Sequence, residues 1–272
     1  MPEGDTIFRT AATLRRALEG AEVTGVSTTV GQVRALGPQR LVGQVVGAVE
    51  PRGKHLLVWF APSDLALHSH MRMSGSWHLY RHGERWRKPA RLARVVLDVA
   101  DWRAVCFSAP VVALLDRRQV AVHPGLAGLG PDALDDDTDL DEAARRLERA
   151  GRTAIGEALL DQRILAGVGN VYRCEILFIH GLDPWTSVAD LDAGTRREVL
   201  ATAERLLKDN IASGSSRRVT TGAFEGPGDR LFVYGKARRP CPRCQTPIAV
   251  ARQGSQARVT FWCPRCQGPG PR

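Results

Sequence analysis

The sequence lacks any apolar run of the roughly 18 residues that a membrane-spanning helix needs. Its start, Met1-Pro2-Glu3-Gly4-Asp5-Thr6, has neither the basic opening nor the apolar stretch of a secretory signal. Both absences predict a cytoplasmic protein. Cysteine is scarce, six in 272 residues, and in a reducing compartment six cysteines do not make a disulfide framework. No internal repeat is visible, which sets aside solenoid architectures. Acidic residues are outnumbered, 29 against 38 Lys and Arg, for a net charge of +9, and most of the basic residues are arginine. That excess points to a polyanionic partner. DNA, RNA and anionic membrane all fit its sign, and a genome rich in G and C also raises arginine.

What is present is the balance of a soluble globular chain, 43% hydrophobic and 25% charged. The length suits two domains, or one large domain with a small module. Ile7, Ala11, Leu14 and Leu18 are spaced for one helical face. Short apolar runs then follow at 45–49, 56–60, 65–68, 95–99, 104–107 and 111–115, separated by Gly, Pro and Asp, as in an antiparallel sandwich or barrel. Helical periodicity takes over at 140–150, 154–160, 171–179 and 196–211. The expected fold is α+β. An N-terminal antiparallel β-sandwich with an N-terminal helix (1–124) and a linker (125–138) precede a helical domain (139–236) and a C-terminal module (237–272). Residues 213–235 read as a long mobile loop, a length that in compact domains is functional or disordered. Asn170 is expected to N-cap the helix after the turn Ala166-Gly167-Val168-Gly169.

The last module is too small for a core of its own. Cys241-x-x-Cys244 and Cys263-x-x-Cys266 stand 18 residues apart. Two-residue gaps let tight knuckles present four thiolates to one tetrahedral zinc, with a hairpin around Gly254-Ser255 between them. Cys106 and Cys174 lie in apolar surroundings and read as core. Arg258, which precedes the final strand into the second Cys-x-x-Cys, either faces phosphate or is a solvated charge. His68 and His70 alternate along a strand and face one way, as packed or hydrogen-bonded side chains rather than a metal pair.

At the other end, proline at position 2 is small enough for Met1 to be removed, leaving Pro2 a free secondary amine. An α-amino group titrates near ~7.7–8.0 against ~10.4 for lysine, so on the order of a tenth is neutral at pH 7. Neutral amine is the species that attacks an electrophilic carbon. The adjacent Glu3 is a candidate general acid or base.

These parts occur in one order along one chain: Pro2-Glu3-Gly4, then Arg52-Gly53-Lys54-His55, then Leu159-Leu160-Asp161-Gln162 leading to Leu165-Ala166-Gly167-Val168-Gly169-Asn170-Val171-Tyr172, then Thr260-Phe261-Trp262-Cys263-Pro264. Together they resemble the formamidopyrimidine-DNA glycosylase and endonuclease VIII family of bifunctional DNA glycosylase/AP lyases, on the endonuclease VIII side. The resemblance implies that Pro2 attacks the sugar C1′ to form a Schiff base, that Glu3 shuttles protons, and that Lys54 contacts phosphate and assists excision. It implies a helix–two-turn–helix domain in which Asn170 binds backbone phosphate, and a zinc finger whose Arg258 grips the same phosphate region. One structural zinc on Cys241, Cys244, Cys263 and Cys266 and no organic cofactor are expected. The expected substrate is damaged DNA, with oxidised pyrimidines removed and the strand cut by β,δ-elimination. The protein is expected to be a nucleoid-associated monomer that binds no membrane. The rival readings are a non-catalytic binder of damaged or abasic DNA and a zinc-ribbon protein of transcription or RNA metabolism.

An extruded nucleotide leaves a gap, for which Arg72 and Met73 in Ser69-His70-Met71-Arg72-Met73-Ser74-Gly75 are the candidates, although a Met in a strand-rich region also suits a core. Two departures bear on the lesion. Asp5-Thr6 stands where the family often has Pro-Glu, and no Arg-x-Phe wedge is found near residues 103–107.

Overall fold

The computed structural model describes residues 2–214, 217–223 and 228–271. They fall into two compact units, residues 1–128 and 129–272. Met1, whose removal the amine requires, lies outside the described residues, as do 215–216 and 224–227 of the loop expected at 213–235.

In the first unit, helix α1 (Gly4–Leu18) buries the expected face, Ile7, Ala11, Leu14 and Leu18. Two four-stranded antiparallel sheets follow. One has the order β2 (Val45–Arg52), β3 (His55–Ala61), β4 (Leu65–His70), β8 (Val111–Asp116). The other has the order β1 (Val23–Thr28), β6 (Ala93–Val99), β7 (Arg103–Phe107), β5 (Ser76–Tyr80). Alternation puts Leu56, Val58 and Phe60 of β3 into one core with Val95, Leu97, Cys106 and the α1 face. His55, Leu57 and Trp59 therefore point to the opposite face of the sheet. Two short helices were not anticipated, α2 (Gly31–Ala35) and α3 (Arg117–Val122). The second starts with a reciprocal cap. Asp116 accepts from the Gln119 N–H at 2.7 Å, and Gln119 accepts from the Asp116 N–H at 2.9 Å.

The second unit holds α4 (Leu140–Arg149), α5 (Ile155–Ala158), α6 (Asn170–Ile179), α7 (Ala193–Ala212) and the hairpin β9 (Ala249–Gln253)–β10 (Arg258–Trp262). Asp139 and Asp192 cap α4 and α7. Helix α6 is buried from Asn170 to Phe178, with Tyr172 and Ile176 in the helical core and Cys174 and Phe178 against the cysteine module. The stretch expected as a linker is anchored within this unit from residue 130 on. Gly130 N–H bonds the Gln162 carbonyl at 2.9 Å, and Ala133 N–H bonds the Ala166 carbonyl at 3.1 Å. Among the described residues no helix is long and apolar enough to cross a membrane.

Candidate functional site

Pro2 is half-buried and stands one residue ahead of the N-cap of α1. Glu3 occupies the N-cap, its carbonyl accepting from Thr6 N–H at 2.9 Å and Ile7 N–H at 3.1 Å. Its side chain does not cap the helix and is completely buried, 0% exposed. A carboxylate is costly to bury, so a helix that needed only a cap has no reason to place one there. Asp5, equally buried, is held by Arg9 at 2.9 Å.

Lys54 is the second residue of the two-residue turn joining β2 to β3, with Arg52 opposite His55. Gly53 takes φ 56°, the positive value that the first position of such a hairpin turn demands. Beside this turn lies a group of four imidazoles. His55 Nδ1 is 2.8 Å from His68 Nε2. The His55 ring stacks on His68 at 5.1 Å and lies 4.5 Å from His70, and His123 meets His68 edge-on at 4.8 Å. Strand register explains the set, since His55 faces His70 and Leu57 faces His68 across β3 and β4. His68 and His70 thus do share a face, and His68 is hydrogen-bonded as expected. Burial, then the neighbouring histidines and Lys54, pushes His55 down to about 3. Burial with His123 and His70 takes His68 to about 4, and burial with Arg72 and Lys54 takes His70 to about 4. Lys54 and Arg72 therefore act on one imidazole.

Met71 is buried in the core, whereas Arg72, Met73 and Ser74 project from a tight turn, Met73 being 65% exposed. The turn closes through Gly75 N–H to the Met71 carbonyl at 2.8 Å. A Cβ on Gly75 would lie 2.7 Å from the Met71 backbone, so only glycine fits. Of the two methionines in this segment, Met71 is the core residue and Met73 is the exposed one.

In the second unit, the two turns before α6 are stapled by Gln162. Its amide donates to the carbonyls of Leu160 at 2.9 Å and Val168 at 3.0 Å, and its oxygen accepts from Gly167 N–H at 3.1 Å. Asn170 differs from expectation. Gly169 is the N-cap, Asn170 is the first helical residue, and its side-chain amide donates to the Val259 carbonyl at 2.7 Å instead of capping. The reason is the hairpin packed on the start of α6, whose Val259 carbonyl accepts from the amide. Val259, which takes the Asn170 amide, is the neighbour of Arg258 in β10. The Arg258 guanidinium is steadied by the Gln256 side-chain oxygen at 2.9 and 3.1 Å.

Two charged residues of α6 were not foreseen. Arg173, wholly buried, donates to the Gly156 and Val259 carbonyls at 3.2 Å, Gln253 Oε1 at 3.2 Å and Thr260 Oγ1 at 2.7 Å. Glu175 accepts from the backbone N–H groups of Phe232 at 2.6 Å, Val233 at 2.9 Å and Tyr234 at 2.8 Å, and from the Thr220 hydroxyl. It gathers both ends of the loop around one carboxylate. A charge in an otherwise apolar helix was the available signal.

The four module cysteines converge, their sulfurs all within 4.8 Å of one another. Cys241 and Cys266 are 3.9 Å apart and Cys244 and Cys263 are 3.4 Å apart. Tetrahedral zinc with Zn–S of about 2.3 Å sets sulfurs about 3.8 Å apart, so the cluster fits a metal ion. Knuckle N–H groups of Arg243 and Cys266 point at Cys241 and Cys263 sulfurs at 3.4 Å. Cys106 and Cys174 are buried core thiols, which burial pushes up to about 12 and about 11.

Residues 1–126 match the formamidopyrimidine-DNA glycosylase N-terminal domain, and residues 129–221 match the formamidopyrimidine-DNA glycosylase H2TH domain. The chain is 43% identical to the probable endonuclease 8 2 of Streptomyces coelicolor, over 100% of this chain and 96% of that one. It is 40% identical to the DNA-(apurinic or apyrimidinic site) lyase Nei2 of Mycolicibacterium smegmatis, over 98% and 99%. Against endonuclease 8 of Escherichia coli the identity is 36%, over 98% and 100%. The fold matches Lactococcus lactis formamidopyrimidine-DNA glycosylase, crystallised with DNA containing an AP site, with a TM-score of 0.81 at 23% identity, covering 97% of this chain and 99% of that one. On these grounds the chain belongs to the formamidopyrimidine-DNA glycosylase and endonuclease VIII family.

Proposed function

We propose that this protein is a base-excision-repair DNA glycosylase with AP lyase activity, using Pro2 as nucleophile and acting on oxidised bases, pyrimidines above all. The observation that carries the reading is the fully buried Glu3 carboxylate beside Pro2 at the head of α1. Helix N–H groups there favour an anion and disfavour a cation.

The amine cannot reach C1′ in a stacked duplex, so the nucleotide must be extruded. Arg72 and Met73, on their projecting turn, fill the gap. Pro2 nitrogen bonds to C1′, the C1′–base bond breaks, and the base leaves with the electron pair and takes up a proton. The sugar opens to an iminium, which makes the C2′ proton acidic. Its removal, with Glu3 as proton carrier, expels the 3′ phosphate, and a second elimination expels the 5′ phosphate. Water releases the sugar fragment and restores the amine. Lys54 contacts phosphate and assists excision, while Asn170 and Arg258 hold the backbone beside the lesion. A zinc ion on Cys241, Cys244, Cys263 and Cys266 supplies folding free energy to a module without its own core. The enzyme needs no organic cofactor and works as a monomer on DNA in the cytoplasm.

The test is borohydride trapping on duplex DNA with one abasic site. A covalent adduct mapped to a peptide beginning at Pro2 is expected, lost when a tag is left ahead of Pro2. Binding without any adduct would make the protein a non-catalytic reader of abasic DNA.

A further inference from the structure

We propose that His55 and His68 are positioning residues for Lys54, their imidazole–imidazole hydrogen bond pinning the hairpin turn that carries it. The inference rests on the role given to Lys54 above. Lysine has a long flexible stem, and a group that assists catalysis must be held to a fraction of an ångström by what surrounds it. The turn supplies only two residues, Gly53 and Lys54, before pairing resumes at His55. What fixes His55 therefore also constrains the lysine backbone.

His55 is clamped on several sides. Nδ1 meets His68 Nε2 at 2.8 Å, and the His70 ring lies 4.5 Å from its own. A Cβ on Gly125 would come within 3.0 Å of His55 Cε1, so the segment after α3 closes on the ring edge with no room for a side chain. That segment is tied down by Gly125 N–H donating to His123 Nδ1 at 3.1 Å.

The charged and titratable groups facing the pair are Lys54 on the turn, His70 on β4 and His123 after α3, while Arg72 on the next loop acts on His70. All are basic, and burial adds to them, so both rings are uncharged at neutral pH. One ring must then donate and the other accept, which fixes complementary tautomers. An uncharged bed suits the task. A carboxylate there would draw the ammonium into an ion pair, and another fixed cation would repel it. His68 also leaves Nδ1 buried without a partner among the described residues, a cost that an aliphatic side chain would avoid. The polar ring is retained despite that cost.

The experiment measures single-turnover base release from duplex DNA carrying an oxidised pyrimidine, and separately cleavage of a preformed abasic site. The proteins are wild type, His68→Leu, His68→Gln, Lys54→Ala and the Lys54→Ala/His68→Leu double variant. His68→Leu is expected to slow base release by about tenfold to a hundredfold, the scale of an ångström's misplacement. Abasic cleavage should stay within about twofold. His68→Gln, whose amide can still bond His55, should recover most of the rate. The double variant should be no slower than Lys54→Ala, because residues acting through one another are not additive. Unchanged base release in His68→Leu, an equal loss in both reactions, or multiplied losses in the double variant would each overturn the proposal. Should His68→Leu not fold, His55→Phe against His55→Asn puts the same question. Failure of the glycosylase reading itself shows separately, as wild-type protein that yields no borohydride adduct.

Discussion

His55, His68 and His70 titrate at about 3, 4 and 4 in the folded chain against an ordinary 6.5, chiefly because burial penalises the charged ring. Unfolding releases them to take up protons. Their contribution to stability is complete above about pH 6.5 and is lost as pH falls from there towards 4. The urea unfolding midpoint should therefore drop steadily between pH 7 and pH 5, and His68→Leu should flatten that slope. An unchanged midpoint across the range would contradict the burial of these rings. At this scale the four cysteines, which hold fixed places in a local motif, were legible as one converging set. His55–His68 and Glu175 were not, because their partners lie 13 and 45 to 59 positions away in sequence. Asn170 was found in the right motif but read as a cap, since the carbonyl that takes its amide belongs to a strand 89 positions on.

Among the elements, the two strands that the sequence reading passed over, β1 and β5, are the two edges of their sheet. Each lacks a continuous apolar run, for a reason that differs. In β5, Trp77 and Leu79 face the core while Ser76, His78 and Tyr80 form a hydrogen-bonded row on the other side. In β1 a glycine and three hydroxyl residues dilute the pattern. Central strands bury both faces and announce themselves as runs. The loop after α7 depends on an element outside itself, since α6 presents Glu175 to Phe232, Val233, Tyr234 and Thr220. Bonds of this charge-assisted kind are worth about 1.5–3 kcal/mol each. Glu175→Gln keeps one acceptor oxygen and removes the charge, so amide exchange at Phe232–Tyr234 should accelerate at least about tenfold while α7 is unaffected. Unaltered protection would mean that other contacts hold the loop.

On the scale of the whole molecule, the +9 charge was ambiguous alone, and the ordered motifs of a known family narrowed it to DNA. The proposed phosphate contacts are Lys54 in one unit and Asn170 and Arg258 in the other. Each cationic contact displaces counterions, giving a slope of about −0.9 per phosphate in log affinity against log salt. Duplex affinity should thus fall steeply between 50 and 200 mM salt (order-of-magnitude range of the effect, about a thousandfold for six contacts), and Arg258→Ala should make the slope shallower by about one. A flat response would remove the basic surface from the account. In the second unit, Asn170 and Arg173 reach from α6 into the cysteine hairpin at Val259, Gln253 and Thr260. Helix and hairpin have consequently been shaped as a lock and its key. Grafting this finger onto a foreign scaffold would leave the Val259 carbonyl, Gln253 and Thr260 without their donor, and swapping in a foreign finger would strand the buried Arg173 guanidinium unless it carried matching acceptors, so the two parts are free to diverge only in step.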